Sequence, residues 1–276
     1  MALELESEVN KHYTIQNLPE KILNTLKKVK LDSENYTRDD FSTFDEFHIQ
    51  GRQATRTLAN LIPIKPGMKV LDIGCGIGGP ARTLASEYQA EVFGIELVSE
   101  FYQTAKILSE LLHMDDKTKF FLGNALEIPF ENNTFDIVWM QHMSMNIKDK
   151  VKLFSDASRV LRPSGKIALY EICKGPGTSF YFPVPWAANT TINHLISIDE
   201  LLKIVQKIGF KQITTENVTH ESLNWFKSAI KNSKSGPANP LGLQLVSGDD
   251  FEIKANNVVK NLENKNIEVF NGVFEK

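Results

Sequence analysis

From residue 69 onward, short apolar runs alternate with longer amphipathic stretches. The runs at 69–73, 91–95, 118–122, 135–140 and 166–172 have the length and β-branched content of buried strands. Between them, 80–88, 99–112 and 148–161 place apolar residues at helical spacing. Pro80 falls in a first turn, where its missing N–H costs nothing, and Ser99 reads as an N-cap. A helix at 198–208, stopped by Gly209, and a strand at 211–218 continue the pattern. The chain closes on an alternating strand, IEVFNGVF. Strand–helix repetition at this spacing predicts an α/β fold with a parallel sheet covered on both faces.

Three regions break the rhythm. Residues 1–60 read as polar helices without strands: Ile22, Leu26 and Val29 share one helical face. Residues 52–61 place Leu58, Leu61 and Ile62 toward a core, before Pro63 and Pro66-Gly67 end the run. Residues 173–196 are rich in Pro, Gly and aromatics and read as an irregular insertion. A second insertion covers about 220–265, with a helical SLNWFKSAIKN, the breaker stretch SGPANPLG and a helix near 249–262. The expected organisation is a helical cap at 1–60 on a domain at 61–276.

Composition narrows the class. At 42% hydrophobic and 24% charged, the chain is ordinary for a globular protein. A net charge of -3 without a Lys/Arg run argues against a nucleic-acid partner. No apolar stretch approaches the ~20 residues of a membrane span, and the acidic, polar start is unlike a secretory signal. Two cysteines, Cys75 and Cys173, imply no disulfide framework, and a cytoplasmic location is the simplest expectation. No paired Cys or His positions suggest a metal site.

The chemistry concentrates in VLDIGCGIGGP, residues 70–80. A glycine-rich turn between strand and helix lets a ligand approach the backbone and the helix N-terminus. Gly74, Gly76 and Gly79 satisfy G-x-G-x-x-G, and Gly78 adds G-x-G-x-G, so the glycines alone leave a dinucleotide open. Asp72 separates the readings: it would repel a pyrophosphate but suits a ligand bearing an ammonium or sulfonium, such as S-adenosylmethionine (SAM). Glu96 ends the second strand, where an acid grips ribose hydroxyls in either case.

Together with GNALEIPF, NNTFDIVWMQH and RVLRPSGKIALYEI, these residues make the chain resemble class I SAM-dependent methyltransferases of the small-molecule "type 11" kind, near the sarcosine/dimethylglycine methyltransferase-like branch. The resemblance covers about 45–276 and implies a doubly wound, Rossmann-like seven-stranded sheet whose last strand is antiparallel. It implies Asp72, Gly74, Cys75 and Gly76 around the methionine part of SAM, Glu96 on the ribose, and Leu97 stacked on adenine. Asn124 stands where relatives usually carry Asp; its oxygen can still accept from the adenine amine, so Asn124→Asp is expected to preserve binding. Ala125 and Leu126 would contact adenine, and Gln141 would lie near the sulfonium.

On the acceptor side, His142 in MQHMSM and His48 in FDEFHIQGRQAT are the candidate bases, each equally readable as a structural histidine. Glu171, at the end of the fifth strand, and Trp186, in FPVPWA, are candidate substrate contacts; Trp186 is also ordinary packing material. The expected activity is methyl transfer from SAM to a small molecule, an amine or amino-acid nitrogen first, with S-adenosylhomocysteine (SAH) as product. An O- or C-methyltransferase of a phenol, quinone or terpenoid-like metabolite is the alternative. A non-catalytic SAM-binding regulator and an NAD-dependent oxidoreductase are the readings from other classes. The expected partner is the small-molecule acceptor, with neither nucleic acid nor a membrane span, for a monomer or homodimer.

Overall fold

Apolar residues on both faces of short strands require cover on both sides, and the computed structural model, which describes residues 2–29, 35–233 and 239–276, supplies it. Seven strands form one sheet of order β3-β2-β1-β4-β5-β7-β6. They are β1 (Lys69–Ile73), β2 (Glu91–Glu96), β3 (Thr118–Leu122), β4 (Phe135–Gln141), β5 (Leu161–Lys174), β6 (Lys211–Asn217) and β7 (Ile267–Glu275). The first five pair in parallel; β7 runs antiparallel between β5 and β6, as the resemblance implies. Strand order reverses between β1 and β4, so their carboxyl ends open the crevice where ligands of such sheets bind.

The helices follow the chain as α1 (Ala2–Tyr13), α2 (Leu18–Val29), α3 (Arg38–Phe41), α4 (Arg52–Ala59), α5 (Gly79–Tyr88), α6 (Ser99–Leu111), α7 (Lys150–Val160), α8 (Ile198–Ile208), α9 (Thr219–Ser233), α10 (Gln244–Ser247) and α11 (Phe251–Glu263). Alternation along each strand divides the core. Val70 and Trp139 face a layer with Leu84 of α5 and Val258 of α11. Leu71 and Val138 face the opposite layer, with Phe154 of α7 and Leu201 of α8. A third cluster joins Leu18, Ile22 and Leu26 of α2 to Phe101 and Leu108 of α6.

Several boundaries depart from the pattern-based reading. Strand β5 begins at Leu161, which pairs with Phe135, so the Arg162-Pro163-Ser164-Gly165 segment interrupts a strand instead of merely ending a helix. A register shift there lets Pro163 sit in the sheet without a ladder bond. Val98, not Ser99, holds the N-cap position of α6; its N–H is satisfied by Glu96 Oε1 at 2.9 Å. Val29 and Leu61 are exposed, because α4 stops at Ala59 and the apolar face of α2 ends with Leu26. Of the SGPANPLG breaker, positions 235–238 lie outside the described residues.

The segment between α3 and α4 is held onto α5 by buried charges. Arg82 is fully buried and donates to Asp45 Oδ2 at 3.0 Å and to the Ile77 carbonyl at 2.8 Å. Arg38 donates to the same Asp45 oxygen, to Glu46 Oε1 at 3.2 Å and to Thr83 Oγ1 at 2.9 Å. Thr83 and Thr55 hydroxyls donate to the two Glu46 oxygens at 2.5 and 2.6 Å. Gly79 lets this backbone approach: a Cβ there would stand 2.0 Å from the Asp45 carbonyl oxygen.

Breaking one partner of a buried pair leaves charge uncompensated and typically costs ~3–5 kcal/mol, whereas an exposed pair contributes ~0–1 kcal/mol. Arg82→Met is therefore expected to lower unfolding free energy by roughly 3 kcal/mol, the low end because Arg38 still faces Asp45. Arg56→Ala, which breaks the exposed pair with Glu87, should change it by less than about 1 kcal/mol. Urea unfolding of the two variants checks the contrast.

Candidate active site

One cavity opens at the carboxyl ends of β1, β2 and β4. Gly74, Cys75 and Gly76 form its floor; Glu96, Leu97, Asn124, Ala125 and Gln141 line one end, with His48 and His142. Trp186 lies in its wall too, so most of the predicted site residues meet at one place. Positive φ at Gly74 and Gly76, 72° and 55°, lets the loop turn beneath that space. A Cβ at Gly76 would meet the Phe47 ring at 2.8 Å, because the strap from α3 to α4 lies across the loop.

The acids carry the electrostatics. Glu96 accepts from the N–H groups of Gly76 and Val98 at 2.8 and 2.9 Å, while burial raises its pKa. Each carboxylate oxygen keeps a second lone pair for a ligand hydroxyl. Asp72 does not belong to the cavity wall. It sits under the loop, 2% exposed, with Oδ2 unpartnered, and burial followed by the nearby Glu96 and Glu46 pushes its pKa up to about 8. This arrangement favours a ligand that brings positive charge.

Around His142 the chain turns off β4. Its N–H donates to the Tyr170 carbonyl at 2.8 Å, and a φ of 48° swings the imidazole onto the Tyr170 ring, 4.9 Å between centroids. Burial lowers its pKa well below the usual value, so the ring is neutral, and Nε2 has no partner. His48 stands 6.0 Å away, ring to ring, but its Nε2 lies 2.9 Å from the Gly51 carbonyl. The same nitrogen lies 3.2 Å from the Gln141 amide nitrogen, so it is engaged whichever tautomer the ring adopts; burial also lowers the pKa to about 4. Of the two candidate bases, His142 has the ring nitrogen without a partner.

Other predicted contacts are already engaged. Gln141 Oε1 accepts from Trp139 Nε1 at 2.7 Å and lies 3.0 Å from the Thr55 hydroxyl, whose one proton goes to Glu46. Asn124 donates to Glu6 of α1, and its Oδ1 accepts from Leu126 N–H at 2.8 Å, fixing the turn. The Leu126 side chain packs into the core layer beneath, outside the cavity wall. Trp186 Nε1 is spent on Asn193 Oδ1 at 2.8 Å, which leaves its ring face as the available surface. Glu171 departs furthest from expectation: it is fully buried and outside the cavity wall, and it accepts from Ser144 N–H at 3.2 Å. Its pKa is pushed up to about 7 by burial, with Lys150 nearby opposing the shift. From outside the wall it supports the turn after His142.

Residues 71–169 match the family described as a methyltransferase domain, Methyltransf_11. The chain is 37% identical over 157 residues to phosphoethanolamine N-methyltransferase 2 of Caenorhabditis elegans, covering 56% of this chain and 35% of that protein. Sterol 24-C-methyltransferase ERG6B of Gibberella zeae is 40% identical over 114 residues, 41% of this chain and 30% of the other. The chain thus spans about a third of the length of these curated relatives. Among solved structures, phosphoethanolamine N-methyltransferase 2 of Haemonchus contortus in complex with S-adenosyl-L-methionine superposes with a TM-score of 0.69 at 25% identity, over 92% of this chain and 60% of that one.

Around the cavity the structure adds residues that the sequence did not single out. Helix α1 reaches the cavity with Val9, His12 and Tyr13, and Tyr13 donates to Asn146 at 2.8 Å. Helices α9, α10 and α11 close the far end. Among the described residues, no group of three or more His, Cys, Asp or Glu side chains is placed to hold a metal ion, and no helix is long and apolar enough to cross a membrane.

Folded Asp72 keeps its proton up to about pH 8, whereas the free side chain releases it near 3.8. The native state therefore holds the extra proton across that window, and stability falls as pH rises through it. Asp72→Asn is expected to flatten the decline: relative to wild type, the ligand-free variant should gain stability progressively from pH 5 to pH 8.5, as read from urea midpoints.

Proposed function

We propose that this chain transfers a methyl group from SAM to a small molecule, with a nitrogen as the first-choice accepting atom. The observation that carries the reading is a pair of acids on either side of the glycine loop: Glu96, in the cavity wall at the end of β2, and Asp72, buried beneath the loop with Oδ2 unpartnered. A pyrophosphate beside these two acids would oppose their ionisation, whereas a nucleoside bearing an ammonium and a sulfonium favours it. When bound, SAM supplies an electrophilic methyl group.

In this reading Glu96 holds the ribose hydroxyls through its free lone pairs, and Asp72 offsets the positive end across the Gly74–Gly76 turn. Leu97 and Ala125 flank the adenine. The segment 1–60 acts as a cap that excludes water from the acceptor, because α1 and the 45–48 strap both border the cavity. The N-methylating relatives support a nitrogen acceptor; the sterol C-methyltransferase, together with the free Nε2 of His142, supports the second reading, a carbon or oxygen acceptor. Two buried free thiols, Cys75 and Cys173, suit a reducing cytoplasm.

Calorimetric titration with SAH tests the reading. Glu96→Ala should weaken SAH about ten- to a hundred-fold, since hydrogen bonds to a charged group contribute ~1.5–3 kcal/mol; unchanged affinity would sink the assignment. Asn124→Asp is now expected to weaken binding, because it removes the donor to Glu6 and sets two carboxylates against each other. Adding Glu6→Gln to that variant should recover the affinity, which a purely local effect at the adenine would not allow.

A further inference from the structure

The far end of the cavity is apolar, and its polar groups are almost all occupied. Trp186, Trp225, Phe226, Val246, Phe251 and Val258 supply its surface. Asn146 donates to the carbonyls of Trp186 and Ile192 at 2.8 and 2.9 Å and accepts from Tyr13. His12 Nε2 is bonded to the Pro185 carbonyl at 2.9 Å, and burial lowers its pKa. Among the described residues, Lys254 is the one lysine of the wall, and no arginine joins it. That ammonium is already held by Asp250 at 2.8 Å and by the Ser247 carbonyl at 2.9 Å.

Among the described residues, two buried side-chain atoms of the wall lack a hydrogen bond: Asp45 Oδ1 and His142 Nε2. The first belongs to the carboxylate gripped by Arg38 and Arg82 beside the loop. The second stands at the end of β4, between the loop and the apolar end.

We infer that the acceptor is a neutral, apolar-bodied molecule, without phosphate or carboxylate, that presents one N–H or O–H group to His142 Nε2. The inference rests on the methyltransferase reading and names the substrate class of the same cavity. Burying a phosphate without a free cation is prohibitive, so a phosphomonoester acceptor has no seat here. An apolar body instead replaces water against the aromatic and aliphatic wall. A neutral imidazole with its proton on Nδ1 accepts a hydrogen bond from an uncharged amine or hydroxyl, whereas an ammonium has no lone pair to offer the methyl group. The proton that the acceptor loses as it takes the methyl group is received at His142 Nε2.

The test uses the full chain saturated with SAH and reads binding by calorimetry. The probes are naphthalene, 1-naphthol, 1-naphthylamine and phosphoethanolamine. The naphthyl probes should bind, with 1-naphthol and 1-naphthylamine about 3- to 10-fold tighter than naphthalene, as one net hydrogen bond gives. Phosphoethanolamine should not bind. His142→Phe should erase the preference over naphthalene, and Trp225→Ala should weaken all three naphthyl probes alike. Phosphoethanolamine binding as tightly as 1-naphthol overturns the inference, as does SAH-saturated protein that ignores every naphthyl probe or shows no preference for the N–H and O–H compounds. Failure of SAH itself to bind overturns the underlying methyltransferase reading instead.

Discussion

The strap over the glycine loop is held in place by Arg82. Its guanidinium is fully buried at the start of α5 and reaches Asp45, the Ile77 carbonyl, the Ala105 carbonyl and Ser109, so one side chain ties the strap to the glycine loop, α5 and α6. Desolvation is severe enough to lower the pKa to about 10, with Asp45 opposing the shift. Such a buried pair is a poor source of net stability, because the desolvation cost offsets much of the attraction. What it specifies is position. With Asp45 fixed, Phe47 lies over Gly76 and His48 comes within 6.0 Å of His142. The site wall is set by an ion cluster whose acids, Asp45 and Glu46, line the cavity while its arginines, Arg38 and Arg82, stand outside it.

The same economy of charge shapes the cavity. Asp72, Glu96 and Glu46 all have raised pKa values, mainly through burial, and the cations nearby are already committed to Asp45 and Glu46. Of these three acids, Asp72 is the one that keeps a buried oxygen with no partner. A cationic ligand finds there a group whose ionisation it would itself make favourable, so binding and deprotonation reinforce one another. This coupling favours a cation over a neutral nucleoside of the same shape.

Much of this was legible in the chain. Strand–helix alternation located the seven strands to within a residue or two except at β5, and VLDIGCGIGGP with Glu96 located one end of the cavity, because both depend on local backbone geometry. Face assignments at strand ends were less readable. Tyr170 and Glu171 are neighbours, and a change of one residue inverts which face a side chain takes. Tyr170 backs His142, while Glu171 points under the following turn. Contacts across long separations left no local signal: Asn124 with Glu6, Arg82 with Asp45, and His12 with the Pro185 carbonyl join segments that only the folded chain brings together. An Asp45 followed by Glu46 between apolar phenylalanines was the available hint, since adjacent acids flanked by Phe44 and Phe47 are seldom both left in solvent.

The two ends of the cavity are built differently, and that difference bears on specificity. One end rests on the carboxyl ends of β1, β2 and β4, whose positions the sheet dictates to every chain of this topology. The other is assembled from α1, the loop after β5 and helices α9 to α11, segments that the sheet does not constrain. A relative that methylates phosphoethanolamine and one that methylates a sterol can therefore share the first end with this chain while differing wholly at the second. His142 lies where the two ends meet. The sheet fixes its backbone through the bond to the Tyr170 carbonyl, but the insertions decide what is pressed against its ring. A change of acceptor in such a fold calls for new side chains in the insertions and leaves the glycine loop untouched.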